Sequence, residues 1–419
     1  MTAALSDDEL LDLVQRQTLK YFWDFAHPIS GLARERSNQP YWYDYRETVT
    51  SGGSGFGVMA LLAGVQRGFL PRNEVLERLR IMVAFLEKAE THHGVFPHFL
   101  HGGTGATIPF TEKDDGGDIV ETSFLMMGLL SARQYFDGRS AAETELREAI
   151  GRLWHAVEWD WHTQGGREVL YWHWSPRHGW AMNHPIKGWN ECLITYILAA
   201  ASPSHPVAPA VYHNGWADGP VFRNGRTYYD VELPLGPPHG GPLFFSHYSF
   251  LGLDPRGLRD RYADYWAQNL AHTRINRAHC IANPGGFDGY GADCWGLTAC
   301  DGDAGYGAFC PDDDRGVIAP TAALSAMPYM PQESMAALRH FYEELGGEIW
   351  GRHGFVDAFN RTKHWVAESN LAIDQGPIVV MIENHRSGLL WDLFMSCEEV
   401  RGALLRLGFD SPRLTAPPV

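Results

Sequence analysis

Four acids, Asp114, Asp115, Asp118 and Glu121, crowd a Gly116-Gly117 turn at the mouth of an apolar run that continues to Tyr135. In that run Phe124, Met127 and Leu130 recur at the spacing of one buried helix face. A second stretch, Gly188 to Ala201, has the same plan: a polar mouth carrying Glu191, then an apolar helix. Carboxylates gathered at the mouths of inward-packed helices are suited to general acid and base work in a cleft, where one carboxyl keeps its proton and another stays ionised. A purely structural reading is also open. Asp118 and Glu121 are spaced like an N-cap and its third helical residue, which stabilises a helix start without catalysis, and Glu191 could simply complement a helix dipole.

These mouths need a scaffold of helices, and the chain supplies about twelve. Ser6 with Glu9 opens the first, whose apolar face carries Leu10, Leu13, Val14, Tyr21 and Phe22. A long aromatic loop, Ala33 to Thr50, leads to Ser51-Gly-Gly-Ser-Gly-Phe-Gly57. No strand precedes these glycines, so they are expected to let a helix pack closely on its neighbour rather than to cradle phosphate. Further helices are expected after Pro71, over about 119–136, after Ser140, after Glu191, near 246–253 and 256–275, near 319–328 and 333–345, and over 369–385, 388–395 and 396–407. Residues 212–245 are rich in Gly, Pro and Tyr, with Tyr228 to Leu233 alternating like a strand, so a β-hairpin excursion is expected there. No repeat recurs at a fixed period and no linker divides the chain. One domain over 1–419 is therefore expected: an all-α barrel of paired helices with long loops on one rim.

The net charge of −16 argues against nucleic acid and anionic membranes as partners and fits an uncharged ligand. Fifteen Trp exceed what the core needs, which favours sugars, whose C–H faces stack on aromatic rings. None of the six Cys forms a CxxC pair or a zinc spacing. Cys192 and Cys397 read as buried apolar residues, and a bridge among Cys294, Cys300 and Cys310 is left open. The N-terminal residues lack a basic segment followed by an apolar core, and no apolar run reaches membrane-span length. The chain therefore reads as cytoplasmic, or periplasmic if a leader was trimmed.

The stretches Gly52 to Leu61, Asp118 to Leu130, Gly188 to Tyr196, Phe245-Ser-His-Tyr-Ser-Phe250 and Asp374-Gln-Gly-Pro-Ile378 resemble, in order, the glycoamylase-like family, which includes the bacterial β-1,2-glucanases of glycoside hydrolase family 144. The resemblance runs from about Leu10 to Leu407. It implies an (α/α)6 barrel, no metal or organic cofactor, and hydrolysis of β-1,2-glucan to sophoro-oligosaccharides with inversion, although related transglycosylating domains retain configuration. Carried over, the family's acidic cluster falls on Asp114, Asp118 and Glu121, and its second glutamate on Glu191. Glu191, beside Trp189 and an apolar helix, is then the expected acid, and the base is expected between Asp118 and Glu121. The missing leader departs from exported members and favours oligosaccharides already inside the cell.

Asp114, Arg46 and His247 are candidates for holding sugar hydroxyls or carboxylates, and His98 has the same standing; a surface ion pair or buried histidines are the alternatives. Trp174, Trp189, Tyr248 and Trp295 are candidate stacking platforms against core packing. Asp301, Asp303 and Asp312 to Asp314 match no calcium-loop spacing and read as solvated turn acids.

Overall fold

The computed structural model describes residues 5–40 and 42–415, and helices dominate it. Helix α1 (Asp7–Trp23) opens on a reciprocal cap: the Glu9 amide donates to the Ser6 hydroxyl, and the Ser6 amide donates to the Glu9 carboxylate. Helices α2 (Ser51–Gln66), α4 (Ile119–Tyr135) and α6 (Leu193–Ala201) are buried on every side for most of their length. Their sequences are apolar all round, so they sit inside. Helices α3 (Arg72–Leu86) and α5 (Ala141–Ala156) carry one apolar stripe each and pack together outside them.

The interior helices contact one another in sequence. Helix α2 packs on α4, and α4 packs on α6. After α7 (Tyr265–Ala282), α8 (Pro320–Leu324) and α9 (Pro331–Arg339), helix α10 (Ala372–Arg386) returns to lie against α2, α1 and α8. The contact of α2 with α4 is backbone on backbone. A Cβ added to Gly55 would stand 2.1 Å from the Phe124 carbonyl oxygen, and one added to Gly128 would stand 2.1 Å from that of Gly55. The glycines therefore serve close approach, as expected from their run.

The strands are short and antiparallel. Strands β1 (Thr48–Thr50), β2 (Phe99–His101) and β3 (Thr107–Ile108) make a three-stranded sheet that delivers the chain into α2. Strand β4 (Gly117–Asp118) pairs with β5 (His173–Trp174) and delivers it into α4. The expected hairpin is present as β6 (Arg223–Tyr228) and β7 (Val231–Leu235). The alternating stretch from Tyr228 is not one strand, however: Tyr229 and Asp230 both take positive φ, at 50° and 61°, and form the turn.

Two other expectations shift. The helix expected near 246–253 is a pair of 3-10 turns, Leu243–Ser246 and Ser249–Leu251. The helix expected over 256–275 begins only at Tyr265, where the Asp264 carboxylate accepts the Ala267 amide; Pro255 and Gly257, the latter at φ +70°, keep the preceding segment out of helix. All six cysteines are free. Among the described residues no helix is long and apolar enough to cross a membrane.

Candidate active site

A cleft of about 1040 Å³ opens where the mouths of α2, α4 and α6 meet the long loops. Its lining includes Glu121, Glu191, His98, Trp172, Tyr248 and Phe124 on the helix side, and Glu35, Arg36, Trp42, Tyr43, Asp301, Tyr306 and Trp365 on the loop side. A cleft of this size with a few converging charged groups is the expected form of a small-molecule or oligosaccharide site.

Asp118 is the N-cap of α4, as its spacing suggests. Its Oδ1 accepts the Val120 and Glu121 amides, both at 3.0 Å. Its Oδ2 accepts the Trp172 indole N–H at 3.2 Å and lies 3.3 Å from His98 Nδ1. The residue has no exposed surface. Burial alone would raise this carboxyl, but the hydrogen bond from His98 leads a group of opposing interactions that hold it below its usual range.

Glu121 does not complete the reciprocal cap that its spacing also allows. Its carboxylate leaves its own helix and accepts the Gly52 amide at 2.9 Å, in the first turn of α2, with the Thr50 hydroxyl at 3.5 Å. The other oxygen lies 4.0 Å from His98 Nε2. Burial pushes Glu121 above its ordinary value. His98 thus bridges two carboxylates. Burial pulls its imidazole down, but Glu121, Asp118 and Asp114 outweigh this and raise it to about 9. Phe110 stacks on its ring at 4.3 Å.

Glu191 precedes the start of α6, and its backbone carbonyl is held by the Ser249 hydroxyl. Burial, with the charges of Glu121 and Asp118 behind it, raises its carboxyl to about 7. Asp114 stands behind Asp118, its Oδ2 3.4 Å from His173 Nε2, and burial together with the Asp118 charge raises it to about 7. Among the described residues, His98, Asp114 and Asp118 form one grouping with the spacing of metal ligands, within 4.8 Å of one another. Both oxygens of Asp118 accept N–H groups within this cluster.

Of the other sequence candidates, Tyr248 lines the cleft and the rest do not. Arg46 is exposed and pairs with Asp44, because its loop turns it outward; Arg36 is the guanidinium in the cleft. Trp189 is core, packed against Trp216, Phe250 and Tyr265. Trp295 is fully buried in a second core cluster. His247 is buried near Tyr329, and burial depresses it to about 3. Trp174 is half-buried in β5 and packs on His93. Asp301 is no solvated turn acid: it takes both terminal nitrogens of Arg36 at 3.2 Å, while the Glu35 carboxylate takes Arg36 Nε at 3.0 Å and the Tyr43 hydroxyl. Residues missed from the sequence are thus Glu35, Arg36, Trp42, Tyr43, Trp172 and Tyr306. The run of aromatics from Tyr41 to Tyr45 is the signal that could have found some of them, although Tyr41 itself lies outside the described residues.

The chain is similar to several known proteins along nearly its whole length. Residues 183–398 match the model of the family Glycoamylase, "Putative glucoamylase". A "putative glucoamylase" from Bacteroides uniformis is 59% identical, with a TM-score of 0.96 over 99% of this chain and 100% of that one. An endo-β-1,2-glucanase from Chitinophaga pinensis, solved with sophorotriose and glucose, is 54% identical, with a TM-score of 0.95 over 98% and 100% of the two chains. The exo β-1,2-glucooligosaccharide sophorohydrolase (non-reducing end) of Parabacteroides distasonis is 45% identical over 97% of this chain but 58% of its own length, so the chain spans less than two thirds of that relative. With acid-bearing helix mouths and a fold that superposes along nearly its whole length on these proteins, the chain belongs to the glycoamylase family.

Proposed function

We propose that the chain is a glycoside hydrolase acting on β-1,2-glucan or its sophoro-oligosaccharides, on a single (α/α)6 barrel domain. The contacts running from α6 through α4 and α2 to α10 and α8 support the barrel, with the turns at 243–251 standing in for one inner helix. The observation that carries the chemistry is the unequal environment of two glutamates in one cleft. Glu191 has no donor beyond its own backbone and is raised to about 7, so it can hold a proton at neutral pH. Burial raises Glu121 as well, but unlike Glu191 it accepts an amide at a helix N-terminus and a hydroxyl and faces His98, contacts that favour its anion against that burial.

In this reading Glu191 protonates the glycosidic oxygen as the bond to the anomeric carbon breaks. Glu121 takes a proton from the attacking water. Asp118 is a positioning residue that starts α4 and orients His98 and Trp172, with Asp114 behind it. Trp42, 55% exposed on the loop side, offers a ring to a sugar face. Attack by water inverts configuration and requires carboxyls about 6.5–9.5 Å apart.

The test is incubation with β-1,2-, β-1,3- and α-1,4-glucans, with product sizing and NMR of the first anomer formed. Cleavage of the β-1,2 polymer or its oligomers with inversion is expected. Cleavage of the α-1,4 polymer alone discards the substrate, and net retention discards the mechanism.

A further inference from the structure

Two exposed rings stand next to each other in the cleft, on the way out from the carboxylates. Phe110 is 41% exposed and Trp42 55% exposed, and both belong to the lining. Large apolar rings left open to water inside a cleft mark a contact surface.

Phe110 is held by the turn between β3 and β4. Its amide donates to the Asp114 carbonyl at 2.9 Å, and the Asp114 amide donates to the Thr111 hydroxyl at 3.2 Å. His98 covers one face of the ring, nearly parallel at 12° with the centroids 4.3 Å apart, and Phe99 meets it at 72°. The exposure therefore falls on the opposite face. His98 itself lies 3.3 Å from Asp118 and 4.0 Å from Glu121, so that open face is one ring removed from the carboxylates. Trp42 is one ring further out. It packs on Phe110 at 6.1 Å and on Tyr43 and Phe99, and its plane is turned 77° from that of Phe110. The Tyr43 hydroxyl donates to Glu35, which Arg36 ties to Asp301, so the outer ring is anchored to the wall.

The angle between the rings bears on the ligand. A β-1,4 linkage leaves from the carbon opposite the anomeric one and gives a flat ribbon, whose consecutive faces suit coplanar platforms. A β-1,2 linkage leaves from the adjacent carbon, so consecutive glucose rings are turned relative to each other. We propose that Phe110 and Trp42 are consecutive sugar platforms, Phe110 nearer the carboxylates and Trp42 one glucose unit beyond, and that the angle between them selects a 1,2-linked chain. This rests on the hydrolase reading above and adds to it the residues that read the linkage.

The experiment is a binding series from sophorose to sophorohexaose, measured by calorimetry on Glu191→Gln alone and combined with Phe110→Leu, Phe110→Tyr or Trp42→Leu. Leucine keeps an apolar cover on His98 but offers no flat face, whereas tyrosine keeps the face. Phe110→Leu is expected to weaken binding about two- to tenfold from one chain length upwards, and Trp42→Leu by a similar factor only from one unit longer. Phe110→Tyr should bind as its parent does. The preference for sophoropentaose over cellopentaose should narrow by the same factor in each leucine variant. Losses that begin at the same length, begin in the reverse order or are absent overturn the proposal, as does an unchanged preference between the two pentaoses. A loosened fold weakens every chain length alike and cannot imitate the expected pattern. Hydrolysis of β-1,2-glucan by the unsubstituted chain judges the hydrolase reading on its own: with hydrolysis present and no stepwise losses only the platforms fall, and with neither hydrolysis nor binding both readings fall.

Discussion

Replacing Glu191 by glutamine keeps the side chain's size and its capacity to hydrogen-bond sugar but removes the transferable proton. The carboxyl it replaces is raised to about 7 and has no donor beyond its own backbone, so the amide costs the fold little. General acid catalysis contributes about 10²- to 10⁴-fold, and kcat on β-1,2-oligosaccharides is expected to fall by that factor with binding within a few-fold. The wild-type pH profile carries a second, independent number. With a value of about 7, roughly nine tenths of Glu191 is protonated at pH 6 and roughly one tenth at pH 8, so kcat at saturating substrate is expected to fall about tenfold across that interval. The variant should lack this limb. A nitrophenyl glycoside, whose leaving group needs less protonation, should recover part of the lost rate. Reducing-end assays at fixed ionic strength, with melting curves alongside, measure all of this. Near-normal turnover in the variant with a lowered melting temperature would refute the reasoning and leave Glu191 a structural residue at the mouth of α6.

Three further outcomes are expected. Trp172→Phe removes an N–H held 3.2 Å from buried Asp118, a bond to a charged group worth about 1.5–3 kcal/mol, so both melting temperature and kcat should drop, whereas Trp295→Phe, in the core and with its own N–H unpaired, should lower stability and leave KM unchanged. Gly128→Ala forces a methyl onto the Gly55 carbonyl; overpacking a backbone contact costs about 1–3 kcal/mol or more, read as a lower melting temperature with reduced activity, because Glu121 rides on the same helix. Asp114 and Asp357 are both raised to about 7, so the folded chain holds protons that an unfolded chain gives up near pH 4; their contribution is present below that pH and lost as pH rises through about 7, and Asp357→Asn should flatten the decline of melting temperature between about pH 5 and pH 8.

The helix side of the cleft was legible in the sequence because its signals are local. Asp118 caps α4 from one residue away, Glu121 lies three further on, and Glu191 stands directly before an unbroken apolar run. The loop side was not. Arg36 meets Asp301 across 265 residues, and Ser369 meets Asp301 across 68, pairings that no spacing rule reports. The tryptophans show the same limit from the other direction. An indole looks alike in sequence whether it faces sugar or core, and Trp189 and Trp295 are core while Trp42, in the aromatic loop, is an exposed ring that lines the cleft. Likewise the carboxyl partner of Glu121 could not be foreseen: the spacing pointed back along α4, and the backbone amide it found belongs to α2.

That amide belongs to the same pair of helices whose glycines touch. Where Gly55 meets Gly128 there are no side chains to repack, so the floor of the cleft has almost no adjustable parts, and the position of Glu121 over Gly52 is fixed by the joint beneath it. The far wall is assembled from three surface segments around Arg36, Asp301 and Trp365, none of which carries the interior helices. Chemistry and selection are therefore mechanically separate in this molecule. Under the proposed hydrolase reading, lengthening, trimming or exchanging a wall segment can change how much ligand fits and from which end, while the protons continue to be handled on an unchanged floor.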